Sequence, residues 1–442
     1  MASARLEKAY TGSNGNMKKW TISVWIKRSG LDSTQYIFGA GENNSADGKL
    51  AINSSNQLYL QNDGHNGSNN ALQRDLTDTN AWYHIVWRAD TDESANDDRW
   101  KLYINGELQA ASTYGSPSIS SGGAGQIGKW GSQDHWVGDN PRSQQSGNQH
   151  YYFDGQMAHF HYCDGYAYDA SSFGESDSNG VWKPKLTPTV TYGTNGFFLK
   201  FDNSGNMGLD SSGNTNNWTT AGTIKQIKDT PSNIQTVGNI LIKGTLAAST
   251  ATNLNLTATS GQASWETLFG TLAVNSGKWY AEFKTGATGT QAGVIDIQQA
   301  QVHDIYGGSL SRGWGYDSDG IIYNNASNTG GTYASITAGD VIGVALDMDN
   351  HNVYFHKNGT YQNSGDPTSG ASGTGAKSIT AGYNYTFFFG AYNGNMSANF
   401  GNGHFGTTDI TSAGSNGNGS LFEYDVPTGY YALNTNNLKG QS

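Results

Sequence analysis

Two strand-turn-strand passages constrain this chain more than any other feature of its sequence. Residues 101–107 read KLYINGE and residues 353–360 read VYFHKNGT, so an alternating strand runs into Asn-Gly and a second strand follows. Asn and Gly tolerate the positive φ that a type I′ turn needs at both central positions. The turns Asn105-Gly106 and Asn358-Gly359 therefore predict two β-hairpins, one in each half of the chain.

Length and composition extend this pattern to the whole chain. Its 442 residues are too many for one sandwich and suit two domains. Gly is abundant at 60 residues, Pro is scarce at 7, and aromatic residues make up 12%, which is typical of many short strands joined by tight turns. Helical periodicity is nearly absent. We predict an all-β protein with two antiparallel β-sandwich (jelly-roll) domains joined by a short linker.

Period-two alternation locates the strands. Trp20, Ile22, Val24 and Ile26 share one face of a strand over 20–28. The other predicted strands cover 82–88, 101–104, 107–109, 153–163, 197–201, 268–274, 278–283, 293–297, 320–323, 340–347, 352–356, 386–392 and 396–400.

The domain limits follow from a weakening of this pattern between residues 223 and 246, where DTPSN at 229–233 is a cluster of turn residues. We predict a first sandwich over 1–228, a linker over 229–245, a second sandwich over 246–405, and a Gly-rich C-terminal tail or arm over 406–442.

Charge and cysteine content exclude several classes of partner. The net charge of −11 argues against nucleic acid, which needs a basic face, and no polybasic patch points to a membrane. No apolar run approaches 18 residues, and the N-terminal residues lack an apolar core, so we expect neither a transmembrane helix nor a secretory signal. The single Cys163 excludes an intramolecular disulfide and indicates synthesis in a reducing cytoplasm.

The first half resembles the laminin-G-like, concanavalin A-type jelly rolls. The matching motifs occur in the family's order: WTISVWIK at 20–27, AWYHIVWR at 81–88, LYINGE at 102–107 and FDGQMAHFH at 153–161. The second half resembles a SPRY domain, through GKWYAEF at 277–283, GWGYDSDG at 313–320, AGDVIGVALDMD at 338–349 and VYFHKNG at 353–359. Both resemblances imply β-sandwiches that act by binding.

The combination of the two halves resembles structural proteins of marine tailed bacteriophages. In those proteins the laminin-G-like and SPRY-like parts are joined through a segment similar to YGTNGFFLKFDNSGNMGLDSSGN, here at 192–214, followed by DTPSN at 229–233. This resemblance implies a component of a virus particle.

Catalytic motifs are missing from the sequence. Jelly-roll glycoside hydrolases need two carboxylates across a cleft, and the Glu-x-Asp-x-x-Glu strand of laminarinase-like members is absent. The acidic residues at 90–98 lie between predicted strands, and Asp347 and Asp349 are explained as turn-forming acids. Neither a Gly-x-Ser-x-Gly elbow nor a Walker loop occurs. We therefore predict that the protein is not an enzyme.

Three sets of residues offer candidate metal ligands. Asp317-Ser318-Asp319-Gly320 opens like a Ca²⁺ loop but lacks the Gly and Glu that an EF-hand needs at positions 6 and 12. Acids at 134–139 and 202–210 offer oxygen ligands, although Asx turns explain them as well. His159, His161 and Cys163 recur along one strand face, as zinc ligands or as polar residues of a half-buried strand. We predict no metal and no cofactor, with Ca²⁺ left open.

Loop aromatics suggest a binding site. Trp130 and Trp136 lie in GKWGSQDHWVG at 128–138, and Tyr151 and Tyr152 follow. Flat rings stack on sugar faces while neighbouring amides and carboxylates bind hydroxyls, but Trp and Tyr are equally typical of protein interfaces. Both interpretations of these four residues stay open.

These observations lead to a functional hypothesis. We expect a non-enzymatic structural protein of a tailed phage that decorates the capsid or forms part of a fibre, made in the host cytoplasm and released in virions by lysis. The expected partners are other virion proteins, further copies of this chain and a host surface glycan, without nucleic acid or membrane insertion. The alternatives are a glycan-binding tail adhesin and, less favoured, a glycoside hydrolase or depolymerase.

Overall fold

The computed structural model describes residues 4–9, 13–43, 46–140, 150–242, 249–300 and 305–440. The chain divides into two compact units, which we call unit 1 (Met1–Gln226) and unit 2 (Ile227–Ser442). Each unit is a β-sandwich, and nearly all strand pairs are antiparallel, which confirms the predicted fold class. No helix within the described ranges is long and apolar enough to cross a membrane.

Within its described residues, unit 1 contains fifteen strands and one short helix. The strands are β1 (Arg5–Lys8), β2 (Lys19–Arg28), β3 (Gln35–Asn43), β4 (Ala46–Ile52), β5 (Gln57–Asn62), β6 (Asn66–Asp75), β7 (Trp82–Asp90), β8 (Trp100–Ile104), β9 (Glu107–Gln109), β10 (His135–Val137), β11 (Gly155–Asp164), β12 (Gly174–Ser176), β13 (Trp182–Pro184), β14 (Phe197–Leu199) and β15 (Thr219–Ala221). The helix is α1 (Asn96–Arg99), and 3₁₀ turns occur at Ala111–Tyr114 and Ala170–Ser172.

Thirteen of these strands form two facing sheets, and β12 and β13 form a separate two-stranded sheet. A seven-stranded sheet has the order β15-β1-β10-β3-β4-β5-β6, and a six-stranded sheet has the order β14-β11-β2-β7-β8-β9. The alternation predicted in β2 is confirmed, because Trp20, Ile22, Val24 and Ile26 all lie in the core between the sheets. β7 is buried along its whole length, since its outward Val86 is covered by a smaller apolar cluster.

The described part of unit 2 contains fifteen further strands. They are β16 (Ser249–Thr252), β17 (Thr257–Phe269), β18 (Lys278–Thr285), β19 (Thr290–Asp296), β20 (Gly313–Asp317), β21 (Ile322–Asn324), β22 (Ser327–Asn328), β23 (Val341–Asp347), β24 (Asn352–Lys357), β25 (Thr360–Tyr361), β26 (Lys377–Ser378), β27 (Tyr385–Asn399), β28 (His404–Phe405), β29 (Thr408–Asp409) and β30 (Tyr431–Ala432). The helix α2 (Thr435–Gly440) follows, and 3₁₀ turns occur at Gly307–Ser309 and Gly370–Ser372.

One long strand links the two layers of unit 2. The first part of β27 pairs with β19 through Ala391, whereas its last part, from Met396 to Asn399, pairs with β18. The residues between these parts include Asn393, whose φ is 51°. The sheet therefore turns at this point and encloses the apolar core of unit 2.

The segments that the sequence assigned to a linker and a tail are packed within unit 2. Among residues 229–242, Gln235 bridges to Asn434 and Gly238 bridges to Gly270. Near the C-terminus, β30 runs parallel to β18, and Phe422 packs in a cluster with Tyr280. Residues 243–245 and 441–442 of these predicted segments lie outside the described residues.

Both predicted hairpins are confirmed. β8 and β9 pair as Ile104 with Glu107, and β24 and β25 pair as Lys357 with Thr360. The φ angles are 50° and 84° across Asn105-Gly106, and 47° and 82° across Asn358-Gly359. Two successive positive φ angles are the mark of a type I′ turn.

Candidate functional site

The outer face of the seven-stranded sheet of unit 1, which points away from the core, carries the candidate site. Strand register aligns one row across this sheet: Glu7, Trp136, Gly39, Lys49 and Gln61. Side chains alternate between the two faces of a strand, and the alternate row of Leu6, Val137, Phe38, Leu50 and Leu60 lies in the core. The first row therefore faces outward.

Lys49 is the centre of one polar and aromatic cluster on this face. Its Nζ lies 2.8 Å from Oδ2 of Asp47, and 5.8 and 5.0 Å from the ring centroids of Tyr36 and Tyr59. Tyr151 stacks on Tyr36, with 5.6 Å between the ring centroids. An ammonium over aromatic rings is stabilised by their quadrupoles, so the rings and the carboxylate together hold Lys49 in place.

Arg5 is the centre of a second cluster, beside the first. Its guanidinium lies 4.5 Å from the ring centroid of Trp136 and 2.5 Å from Oε1 of Glu7. Nη1 of Arg5 also donates to the hydroxyl oxygen of Tyr152 at 3.3 Å. His150 stacks on Tyr152 at 4.7 Å, so a cation and three aromatic rings form one compact group.

Asp139 joins the two clusters to the segment that carries Tyr151 and Tyr152. Nδ1 of His150 donates to its Oδ2 at 2.6 Å, and the backbone N–H of Tyr151 donates to its Oδ1 at 2.9 Å. The side chain of Asp139 is fully buried. These contacts fix where Tyr151 and Tyr152 emerge on the outer face.

The structure buries both tryptophans among the four candidate binding residues. Trp130 is 1% exposed and lies in the core, where it stacks on His135 with 3.6 Å between the centroids. Trp136 is also 1% exposed, because Arg5 and His150 cover its ring. A covered indole cannot stack on a sugar. Of the four predicted residues, only Tyr151 and Tyr152 are half-buried at the surface.

Strands β3, β4 and β5 bring to this face several residues that were not predicted as site residues. Tyr36, Lys49, Tyr59 and Gln61 were not singled out, since none of these three strands was predicted. A signal was present, because QLYLQ at 57–61 alternates polar or aromatic residues with leucine. The half-buried Tyr59 and the buried Leu58 and Leu60 show that this alternation separates the outer face from the core.

A serine and a histidine on the outer face of the six-stranded sheet lie within hydrogen-bonding distance but have the wrong polarity for catalysis. Nε1–H of Trp182 donates to Nδ1 of His84 at 2.9 Å, so the proton of the neutral imidazole is on Nε2. Nε2–H therefore donates to Oγ of Ser23, 2.9 Å away. A general base would need to accept the serine proton instead. Burial also lowers the pKa of His84 to about 3.

Two members of the row of His159, His161 and Cys163 are buried in unit 1, namely His161 and Cys163. His159 and His161 do share a face, with 6.4 Å between ring centroids, but Nδ1 of His161 is bonded to the hydroxyl of Tyr192. Cys163 is buried in an apolar cluster, which raises the pKa of its thiol. In the part of the chain that the structure describes, no group of three His, Cys, Asp or Glu side chains is arranged to hold a metal ion.

Asp210, one of the acids that could have bound Ca²⁺, is engaged in a turn. Asp210 accepts the backbone N–H of Phe198, Ser212 and Asn216 and the hydroxyl of Ser212, each at 2.8 Å. These four donors match the acceptor capacity of a carboxylate. Ca²⁺ binding elsewhere stays an open prediction.

The turn role predicted for Asp347 is confirmed, because its carboxylate accepts the backbone N–H of Asp349 and Asn350. Nζ of Lys278 binds its other oxygen at 2.9 Å.

Unit 2 contains a buried carboxylate with a complete set of donors. Glu282 accepts the backbone N–H of Glu423 and Tyr424 at 2.8 Å each, and the hydroxyl of Tyr280 at 3.0 Å. The imidazole of His356 lies 2.6 Å from that hydroxyl and receives the N–H of Gly359 on Nδ1. Burial raises the pKa of Glu282 to about 7 against these donors. The arrangement anchors the C-terminal segment and lies beneath it.

A second aromatic group lies on the surface of unit 2. Trp265 lies 5.5 Å from Tyr306 and 6.0 Å from Tyr392, and Tyr323 lies 5.7 Å from Tyr306, measured between ring centroids. These four residues come from separate segments of the chain, so no local sequence pattern indicates that they lie together.

Two parts of the chain match known protein families. Residues 7–164 match the family model of the concanavalin A-like lectin/glucanases superfamily. Residues 278–400 match the SPRY domain. These matches confirm both domain resemblances. The resemblance to phage proteins stays a prediction, and no curated protein matches the chain.

Three solved structures match parts of the chain at low identity. The SPRY domain of human HERC1 is 20% identical, with 37% of this chain and 94% of that chain covered and a TM-score of 0.27. The TRIM65 PSpry domain is 12% identical, with coverages of 37% and 89% and a TM-score of 0.28. A "putative carbohydrate binding protein" from Bacteroides ovatus is 18% identical, with 50% of this chain and 57% of that chain covered and a TM-score of 0.33.

Proposed function

We propose that this protein is a non-enzymatic structural component of a tailed-phage particle, and that the outer face of its seven-stranded sheet binds a glycan. The observation that carries the glycan part is the group of half-buried tyrosines on that face. Tyr59, Tyr151 and Tyr152 lie beside the ion pairs of Lys49 and Arg5, opposite the core. The match to the concanavalin A-like superfamily supports the same assignment.

The chemistry of this face suits a sugar. Tyr rings offer apolar faces and lose little side-chain entropy on binding, while amide and carboxylate groups fix hydroxyl orientation. Gln61 and Asp63 supply such groups, joined by a hydrogen bond of 2.7 Å from Nε2 to Oδ1. Because Asp47 and Asp139 are buried and hold neighbouring side chains, the face is organised before a ligand arrives.

Two observations support a role without catalysis. The Ser23–His84 pair has the polarity opposite to that of a nucleophile and its base. The carboxylates of Asp210 and Asp347 are occupied by backbone and side-chain donors. A hydrolase or depolymerase is therefore the less favoured alternative.

The place in a phage particle rests on the sequence resemblance over 192–214 and 229–233. We expect the chain to fold in the host cytoplasm, to contact other virion proteins and further copies of itself, and to leave by lysis, without nucleic acid or membrane insertion. A capsid decoration protein and a fibre component are the two forms of this proposal, and a tail adhesin is its alternative.

Mutation of the tyrosines tests glycan binding. We expect Tyr59→Ala and Tyr151→Ala each to weaken binding to immobilised host polysaccharide roughly tenfold, through loss of one stacking surface. The matched control is Tyr166→Ala, a tyrosine of unit 1 that is 40% exposed and stacks on Tyr168 instead. Equal binding by all three variants, or no binding by the wild type, would contradict the proposed site.

Localisation tests the particle role. Immunogold labelling of intact particles should mark the head in symmetric positions for a decoration protein, or the tail tip and fibres for an adhesin. Absence of label from particles would refute the virion proposal. Release of reducing sugar from host polysaccharide would instead revive the hydrolase alternative.

A further inference from the structure

Lys49 and Arg5, the basic side chains at the centres of the two clusters on the outer face, are each paired with carboxylates. Nζ of Lys49 lies 2.8 Å from Asp47, and these two side chains belong to residues that are 8% and 0% exposed. The guanidinium of Arg5 lies 2.5 Å from Glu7 and 4.0 Å from Asp139. Neither cation can turn to a ligand without leaving a carboxylate behind.

Among the described residues in and beside the two clusters, acids outnumber bases. Glu7, Asp47, Asp63 and Asp139 stand against Lys49 and Arg5. Nδ1 of His150 also donates to Asp139, at 2.6 Å. The whole chain carries a net charge of −11, so its long-range field has the same sign.

This charge balance discriminates between classes of glycan. A uronate or sialate carboxylate would lose hydration beside excess negative charge, and pairing it with Lys49 would strand the buried Asp47. An uncharged sugar needs only ring faces and hydrogen bonds to its hydroxyls. The tyrosines and the Gln61–Asp63 pair supply both.

We infer that the outer face of unit 1 takes an uncharged glycan, of the neutral hexan or N-acetylhexosamine class, and rejects glycans that carry carboxylates. This inference rests on the proposed glycan-binding function and narrows its ligand. Specificity arises from negative charge that is held in place by buried ion pairs.

Binding of the full chain to matched polysaccharides tests the inference. The neutral probes are a glucan, a galactan, a mannan and N-acetylglucosamine oligomers, and the acidic probes are polygalacturonate and alginate. We expect binding to at least one neutral probe, changed less than about twofold between about 50 and 500 mM NaCl, since no charge pairing is involved. We expect each acidic probe to bind at least tenfold more weakly than the best neutral probe.

Removal of one carboxylate from this face should increase its affinity for an acidic glycan. Glu7→Gln removes the closest carboxylate from Arg5, so we expect it to gain roughly tenfold in affinity for polygalacturonate at low salt and to lose that gain at high salt. The matched control is Glu107→Gln, an exposed glutamate on β9 of the other sheet, which should leave all affinities unchanged.

Different outcomes would contradict the preference for uncharged glycans and glycan binding itself. Tighter wild-type binding to acidic than to neutral probes would overturn the inference and leave glycan binding standing. Binding to no probe of either class would overturn the proposed glycan-binding function itself, and the inference with it.

Discussion

At the scale of single residues, the asparagines of the two Asn-Gly turns do more than tolerate positive φ. The side-chain oxygen of Asn105 accepts the backbone N–H of His84 at 2.8 Å, and Asn358 does the same for Val341 at 2.8 Å. The backbone N–H of each asparagine donates to the carbonyl of the same partner residue. Each turn thereby extends the ladder to the neighbouring strand.

The loss of this side chain should destabilise unit 1. We expect Asn105→Ala to lower its unfolding free energy by about 2 kcal/mol, because alanine is strained at a φ of 50° and the N–H of buried His84 loses its acceptor. Urea unfolding followed by tryptophan fluorescence reports this unit, which holds most of the tryptophans.

The matched control is Asn179→Ala at another Asn-Gly pair, where Asn179 is exposed. We expect that change to cost less than about 0.5 kcal/mol. Equal losses from the two substitutions would show that the Asn105 side chain contributes nothing specific.

At the scale of elements, β18 anchors the C-terminal segment through Glu282. The carboxylate binds two backbone N–H groups of that segment, and Phe422 packs against the ring of Tyr280 at 4.9 Å. The segment therefore covers the outer face of β18. The pKa of Glu282 is raised in the folded protein because this segment buries its carboxylate.

The raised pKa of Glu282 predicts the sign of the pH dependence of stability. Between pH 4.5 and about 7, folded Glu282 keeps a proton that the unfolded chain releases, so its contribution to stability falls as pH rises and is constant above that window. We expect the unfolding free energy of the wild type, relative to Glu282→Gln, to fall by about 3 kcal/mol from pH 4.5 to 8.

The comparison with the variant is needed because His356 acts in the opposite direction. Burial lowers the pKa of His356 to about 3, so unit 2 loses stability as pH falls below 6.5 in both proteins. We therefore measure the difference in unfolding free energy between wild type and Glu282→Gln, by urea titration over this pH range. The contribution of His356 is present in both proteins and drops out of this difference. A difference that does not vary with pH would contradict the raised pKa of Glu282.

At the scale of the whole molecule, buried histidines are concentrated in unit 1. His65, His84, His135 and His161 are at most 1% exposed, and burial lowers the pKa of each. Unit 2 has His356 as its counterpart among the described residues. Because the unfolded chain takes up protons below pH 6.5 and the folded core does not, acid destabilises unit 1 more than unit 2.

Calorimetry of the full chain tests this difference. At pH 5, each buried neutral histidine costs about 2 kcal/mol of stability relative to pH 8. We expect the unfolding transition of unit 1, identified by tryptophan fluorescence, to shift to lower temperature between pH 7 and pH 5 by clearly more than that of unit 2. Equal shifts of the two transitions would count against neutral histidines in the core of unit 1.

The sequence by itself was sufficient for features that depend on neighbouring residues. Strand alternation in β2 and the turn at Asn105-Gly106 were predicted and found, because side-chain direction and φ preference are set within a few residues. The family motifs added the fold of each half. Longer elements were less well predicted. Two strands were expected where β27 is one, and its continuity depends on pairing with β19 at one end and with β18 at the other, which local sequence does not show.

Only the tertiary structure decided which aromatic residues can meet a ligand. Trp130 and Trp136 lie near each other in sequence, yet one packs in the core and the other is covered by Arg5 and His150, from distant strands and loops. Tyr59 reaches the outer face beside Lys49 through the register of β4 and β5. Exposure depends on which remote segments pack over a side chain, and local sequence does not encode that information.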